Sequence, residues 1–455
     1  MGLGKKIGFG VGSTPDKNGG GGNLTAAEQA WVTKWQNRID AASVANWGFG
    51  LHIQTEDKTL ASYGQGMYDA DGRMFTSDTL IDVRSVSKAV TGVMAVKHAE
   101  TYGTGSTTLE KINQYMGRTL SSWTILNDNV TGTSKTDPNG WLTRDGTTLA
   151  VDPTIITMRQ QLSHTNDVGQ TDFSGSAASK YDHDNIRNAT EEILTPATTS
   201  AQIAKNYDRR SKRYGNKTDT DPAVAGYDDK NGMPVVCAMQ EDSGIEYHTE
   251  LQTMFATMGV NAYPGVAAIG GSSYGYMTFF GTYGGVITAR NAPNFCRPTV
   301  IDDSGKIAEE ISSAENHHTG IAGHAFSARS LADFWDKVHT AGFYLTADGM
   351  NELFSAQTGA ADGVGTYTWH GINWGYGPQK QTAVNGYEIW GSIGAGGFAA
   401  NSSAYVHCHD LDHLTVAIVG QQDAFDSSTI TGVSSASNGA GIVWDIAKDY
   451  ADEFG

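Results

Sequence analysis

The sequence predicts an α+β fold: one antiparallel sheet flanked by helices, beside a second, mainly helical and loop-rich lobe. Three observations predict it. Helical patterns stand near both ends of the chain, strand patterns lie close to them, and the middle is polar and rich in glycine. A sheet built from the two termini, with the middle set aside as a lobe, accounts for all three.

At the N-terminal side, "NLTAAEQAWVTKWQNRIDAASVANWG" places Thr25 three residues before Glu28, a capping-box pattern. Trp31, Val32, Trp35 and Ile39 then keep helical spacing. "GFGLHIQ" and "KTLASYGQG", separated by "TEDK", read as a hairpin. "RSVSKAVTGVMAVKHAE" reads as an amphipathic helix stopped by Gly103 and Gly105. Residues 117–151 and 171–221 read as polar insertions around a short helix in "TIITMRQQLSHTNDVG". "PVVCAMQEDSGIEYHTELQTMFATMGV" reads as two helices broken at Ser243-Gly244, and residues 261–320 carry no clear pattern. "SARSLADFWDKVHTAG" is an amphipathic helix. "EIWGSIGAGGFAANSSAYVHCHDLDHLTVAIVGQ" reads as three strands, with Asp410 to Asp412 turning the last pair, and "GIVWDIAKDYADEF" closes the chain as a helix. There are no internal repeats.

The bulk numbers agree with a folded protein. Of 455 residues, 39% are hydrophobic, enough for a large core. The 56 glycines exceed the usual share of about 7%, so many turns and close backbone approaches are expected. The formal charge of −18 argues against nucleic acid or an anionic membrane as partner. The basic stretch "KNYDRRSKRYGNK", Lys205 to Lys217, reads as a solvated loop. Three cysteines, Cys237, Cys296 and Cys408, imply no disulfide framework. No apolar run has the length of a membrane span, so no membrane insertion is expected. Residues 1–25 read as a flexible glycine-rich arm rather than a signal peptide.

The chemistry concentrates at the start of one helix. Ser85 and Lys88 are three residues apart and share a helical face. At a helix N-terminus, free N–H groups and the macrodipole favour developing negative charge. A lysine can take a serine proton when burial lowers its pKa. Val86, Val90, Val93 and Met94 are expected to bury the helix and dry its surroundings. The bland alternative is that Ser85 is an ordinary cap.

Five segments in order tip the balance. "TLIDVRSVSKAVTGVMAV", "TIITMRQQLSHTNDVG", "GYDDKNGMPVVCAMQEDSGIEY", "AGHAFSARSLADFWDKV" and "WGSIGAGGFAANSSAYVHCHDLDHLTVAIVG" resemble segments of the serine β-lactamase-like superfamily. That superfamily includes penicillin-binding DD-peptidases, class C β-lactamases and related esterases. The resemblance runs over about residues 26–455 and implies one β-lactamase/transpeptidase-like domain. Its α/β lobe would comprise about 26–116 plus 320–455, and its helical, insertion-bearing lobe about 117–319.

The resemblance implies roles residue by residue. Ser85 would be the acylated nucleophile, Lys88 its base and Tyr227 a proton shuttle to the leaving group. The backbone N–H groups of Ser85 and Ala395 would form the oxyanion hole. Two departures matter. Asp229 in "YDD" stands where the family has asparagine. It either pairs with Lys88 and weakens it as a base, or holds the serine–lysine pair in register. Ser392-Ile393-Gly394 stands where the family usually has Lys or His, a small residue and Gly. The cation that often binds a substrate carboxylate is therefore absent.

"HCHDLDH", His407 to His413, has two readings: a metal site, since His407 and His409 share a strand face, or a polar strand end and turn. The second is preferred, so no metal and no cofactor is expected. His317-His318 reads as exposed, and His164 as a structural residue of the nucleophile wall. "GGSSYGYMTFFGTYGG" lacks the lysine and helix of a phosphate loop and reads as a wall over the cleft.

The expected function is a serine hydrolase forming an acyl-enzyme, of D-alanyl-D-alanine carboxypeptidase or esterase type. A peptidoglycan peptide or an ester is the expected substrate. The alternatives are an inactive structural or binding protein on the same fold, and a cytoplasmic esterase. The glycine-rich arm and the Thr, Ser, Asn and Trp-rich style resemble minor tail proteins of bacteriophages of mycobacteria. That resemblance implies a virion tail location, an envelope substrate and other tail proteins as partners.

Overall fold

A computed structural model of the chain describes residues 24–42, 48–66, 74–123, 157–164, 232–245, 247–264, 282–283, 286–287, 299–301, 307–309, 324–340, 342–355, 373–380, 384–396, 401–421 and 440–455. In chain order the elements are α1 (Ala26–Ala42), β1 (Phe49–Gln54), β2 (Thr59–Gln65), β3 (Ile81–Asp82), α2 (Val86–Tyr102), α3 (Thr108–Met116), α4 (Met158–Leu162), α5 (Gly232–Ser243) and α6 (Tyr247–Met258). Then come β4 (Thr282–Tyr283), β5 (Val286–Ile287), β6 (Thr299–Ile301), β7 (Ile307–Glu309), β8 (Ala325–Phe326), α7 (Ala328–His339) and α8 (Ala347–Leu353). The chain closes with β9 (Asn373–Trp374), β10 (Gln379–Lys380), β11 (Trp390–Gly396), β12 (Asn401–Cys408), β13 (Leu414–Gln421) and α9 (Ala440–Phe454).

The main sheet is antiparallel and runs β2-β1-β13-β12-β11-β10-β9. The N-terminal hairpin therefore lies against the last strand, and the sheet is built from both termini as expected. Strands β9 and β10 carry two residues each, too few for a period-2 signal, and the sequence gives no sign of them.

Alternation along the strands divides the core between the two faces. Leu414, Val416 and Ile418 of β13 pack with Leu51 and Ile53 of β1 under Trp31, Val32 and Trp35 of α1 and Ile442 and Ile446 of α9. Ala417 and Val419 of β13 and Tyr405 of β12 join the opposite cluster with α2 and α7. There Trp335 of α7 stacks on Tyr405 with ring centroids 4.3 Å apart. Helix α1 starts with the expected capping box between Thr25 and Glu28. It is tied to α9 by Asp449, which accepts from Lys34 Nζ at 2.7 Å and from Trp35 Nε1 at 2.8 Å.

Helix α2 departs from its amphipathic expectation. It is buried on nearly every side, from Val86 through Val96. It touches α3, α5, α8 and β11. Its polar side chains survive burial because partners meet them: Thr91 Oγ1 donates to the Ser87 carbonyl at 3.0 Å, and the His98 ring lies 3.0 Å from Glu250. A helix enclosed in this way needs small residues where backbone crosses it. A Cβ on Gly92 would lie 1.7 Å from the Tyr376 carbonyl oxygen. Gly377, at φ +113, lies over Ala89 in the same way.

This close crossing yields a stability prediction. Gly92→Ala forces the Tyr376 backbone away and should destabilise the fold by about 1–3 kcal/mol or more. Urea unfolding of the two chains measures it; an unchanged midpoint would contradict the packing described.

Candidate active site

Ser85 sits one residue before α2, with φ −63° and ψ −12°, and its side chain makes no cap hydrogen bond. Thr107, Thr157 and Ser327 show what capping looks like in this same chain. Each is extended and accepts a hydrogen bond from the backbone N–H three residues on. Ser85 does something else: Lys88 Nζ donates to its Oγ at 2.9 Å. The ordinary-cap reading therefore does not describe it. Lys88 is buried, at 5% exposure, so the contact is shielded from bulk water.

The turn before the helix is held from several directions. Arg84 has φ +51°, a left-handed conformation that costs a non-glycine residue energy. Asp82 supports it: its Oδ1 accepts the Arg84 N–H at 2.8 Å, and its Oδ2 lies 3.4 Å from the guanidinium. The Val83 N–H donates to the His324 carbonyl at 2.9 Å. The Val83 carbonyl accepts from Ser403 Oγ at 2.6 Å.

Strand β11 approaches this turn through Gly394. A Cβ there would stand 2.0 Å from the Val83 carbonyl oxygen and 3.0 Å from Arg84 Cβ. Glycine is thus required for backbone to meet backbone at this point. Ser392 shares the Gly394 face and is buried at 5% exposure. Ala395 follows, opposite Ser402 of β12. Strand β10 pairs with β11 only at Trp390 and Gly391. From Ser392 to Gly396, no described strand covers the second edge of β11.

Helix α2 is also anchored by a buried polar group. Ser87 Oγ accepts from the His324 N–H at 3.2 Å. The Thr91 and Tyr247 hydroxyls are 2.6 Å apart, and the Tyr247 hydroxyl lies 3.2 Å from His324 Nε2. Burial lowers the His324 pKa to about 3, so the ring is neutral. Burial is also the main cause that raises the Tyr247 pKa far above the usual tyrosine value. These groups hold the helix that carries Ser85.

The structure thus brings Ser85, Lys88, Gly394 and the backbone of β11 to one place. Tyr227 and Asp229 lie outside the described residues, as do Lys205 to Lys217 and His317-His318. Of "GGSSYGYMTFFGTYGG", only Thr282–Tyr283 is described. His164 is buried just after α4 with φ +57°. Sequence reasoning missed Asp82, Arg84, His324 and Ser403. Asp82 and Arg84 left one signal, an acid and a base two residues apart just before the serine. His324 and Ser403 left none, because their partners are hundreds of residues away.

No family model and no curated protein matches the sequence. Solved structures do match its fold. The octameric penicillin-binding protein homologue from Pyrococcus abyssi aligns over 89% of this chain and 74% of its own, at 12% identity and TM-score 0.55. The D-stereospecific amidohydrolase from Streptomyces sp. aligns over 88% and 96%, at 14% identity and TM-score 0.56. The D-amino acid amidase from Ochrobactrum anthropi SV3, complexed with L-phenylalanine amide, aligns over 94% and 98%, at 11% identity and TM-score 0.57. At these identities the likeness shows the fold: α+β, with the antiparallel, helix-flanked sheet of β-lactamases and transpeptidases.

The neutral His324 makes stability depend on pH. Its folded pKa lies below the unfolded value of about 6.5, so its contribution is present above that pH and is lost as pH falls toward 3. Between pH 7 and pH 5 the loss from this one ring should be about 2 kcal/mol. Urea unfolding of the parent and His324→Asn chains at both pH values tests this. An equal drop in the two chains would contradict it.

Proposed function

We propose that the protein is a serine hydrolase that forms an acyl-enzyme on Ser85. The observation that carries this reading is the 2.9 Å contact between Lys88 Nζ and Ser85 Oγ at the start of a buried helix. In catalysis the contact runs in the opposite sense. A neutral amine accepts the hydroxyl proton as Oγ attacks the substrate carbonyl carbon. The oxyanion that forms is met by the N–H of Ser85 at the N-terminus of α2 and the N–H of Ala395 on β11. The carbonyl re-forms, the leaving amine or alcohol departs with a proton passed through Tyr227, and water then hydrolyses the acyl-enzyme.

The substrate class follows from what stands at residue 392. With Ser392 in place of a cation, no positive group on β11 is set to bind a substrate carboxylate. This favours an amide or ester over a peptide with a free C-terminal carboxylate, and so an amidase or esterase over a D-alanyl-D-alanine carboxypeptidase. Two of the solved structures sharing the fold are named as enzymes of D-amino acid amides or D-stereospecific hydrolysis, which supports D-configured acyl donors. The envelope substrate and the virion tail location belong to the same proposal. They rest on sequence style, and fractionation of virions tests the location. The second reading, a binding protein on an inactive fold, is favoured by Asp229 and Ser392 together.

The test is covalent labelling. The full chain and Ser85→Ala are treated with a fluorophosphonate and, separately, a fluorescent penicillin, and adducts are mapped by mass spectrometry. The expected result is a fluorophosphonate adduct on Ser85, absent from Ser85→Ala, with penicillin reacting more slowly for want of a carboxylate-binding cation. Absence of both adducts from a folded chain would overturn the hydrolase reading in favour of the binding one.

A further inference from the structure

The far end of β12 gathers imidazoles that the serine chemistry does not use. His407 pairs with Trp390 across the ladder, whereas Ser403, which holds the Val83 turn, pairs with Gly394. Four residues of strand, about 14 Å, separate the two. Helix α7 ends on His339, and the β12–β13 turn carries His409 and His413. The His339 and His407 rings stack with centroids 3.6 Å apart. His409 stands 6.2 Å from His339, and His413 lies 4.2 Å from His409.

We propose that His339, His407 and His409 form a three-histidine site for a divalent transition ion of the zinc type, clamping the end of α7 to the β12–β13 turn. One ring nitrogen from each of the three lies within 4.8 Å of the others. Nitrogens about 2.0–2.1 Å from a tetrahedral zinc are about 3.4 Å apart, so a bound ion requires the stacked His339 and His407 rings to turn out of their parallel arrangement until their nitrogens converge.

Two observations point to a ligand rather than to ordinary packing. First, His339 Nε2 and His407 Nε2 are fully buried and have no hydrogen-bond partner among the described residues. Polar atoms in that condition call for an occupant. Second, the other nitrogen of His407 has an orienting partner. Its Nδ1 lies 2.6 Å from Thr415 Oγ1, and that hydroxyl also reaches the His413 carbonyl at 3.4 Å. In the tautomer that donates from Nδ1, the lone pair is on Nε2. A hydrogen bond of this kind on the second nitrogen is how metal-bound histidines are oriented.

The remaining surroundings suit the site. Phe354 stacks on the other face of His339 at 3.8 Å and closes it on the protein side. His409 is exposed and gives the ion a way in. Three nitrogens leave the fourth position of a tetrahedral ion for water or for His413, whose Nδ1 is also buried without a partner among the described residues. The expectation of no metal came from His407 and His409 alone. His339, from a helix about 70 residues earlier in the chain, is what makes a set of three.

The experiment uses the tag-free full chain, with Zn2+ followed by calorimetry and Co2+ by visible absorption. The expected result is one ion per chain and the intense bands of four-coordinate cobalt. Both should be lost in His409→Ala, which alters an exposed side chain and leaves the fold intact. Thr415→Val keeps the ligands and removes the orienting hydroxyl, and should weaken Zn2+ binding by about 10–100-fold. No binding by the parent chain, or equal binding by the parent and His409→Ala chains, would overturn the proposal.

Discussion

The site depends on one approach of backbone to backbone. Strand β11 reaches the Val83–Arg84 turn where Gly394 has no side chain, and a Cβ there would fall 2.0 Å from the Val83 carbonyl. The same carbonyl takes the hydroxyl of Ser403 from β12, and the Val83 N–H is taken by His324. A residue whose N–H and carbonyl are both held in this way has little freedom. It forces Arg84 into its left-handed conformation and delivers Ser85 to the edge of the sheet. Ser85 and Gly394, about 300 residues apart, meet because main chain, not long side chains, closes the gap. Such contacts are short and directional, so the geometry is defined closely.

Burial of α2 serves the same end from the other side. Ser87, Thr91, Tyr247 and His324 form a polar group along the side of the helix, next to Lys88, which meets Ser85. Buried polar groups are costly when incomplete and rigid when satisfied. Here they fix the rotation of the helix about its axis, and that rotation decides how the Ser85–Lys88 pair faces β11.

Much of this was legible in the sequence, and the limits have physical causes. The hairpin, the last three strands and the terminal helices announce themselves because each is long enough to show a period and has a sheet or helix face to bury. The break at Ser243-Gly244 was visible because Gly244 takes φ +69°, a conformation few other residues accept. Strands β9 and β10 were not visible, since pairs of two residues have no period. The α2 pattern misled in one respect. Its polar residues suggested a wet face, whereas their partners come from α6 and the segment before β8, which no local reading can supply. Ser85 and Lys88 were found from spacing, yet Asp82, His324 and Ser403 were not. Supporting residues are selected by distant contacts and leave no motif.

Everything proposed for Ser85 turns on Lys88 as its proton acceptor. The most direct measurement is the rate of fluorophosphonate labelling at Ser85 in the parent and Lys88→Arg chains, with unfolding curves taken beside it. Arginine keeps the charge and much of the bulk but cannot be deprotonated in a protein. The expected result is a fall in rate of about 10²–10⁴-fold with the fold retained. An unchanged rate in a folded Lys88→Arg chain would contradict it and leave Lys88 only a positioning role.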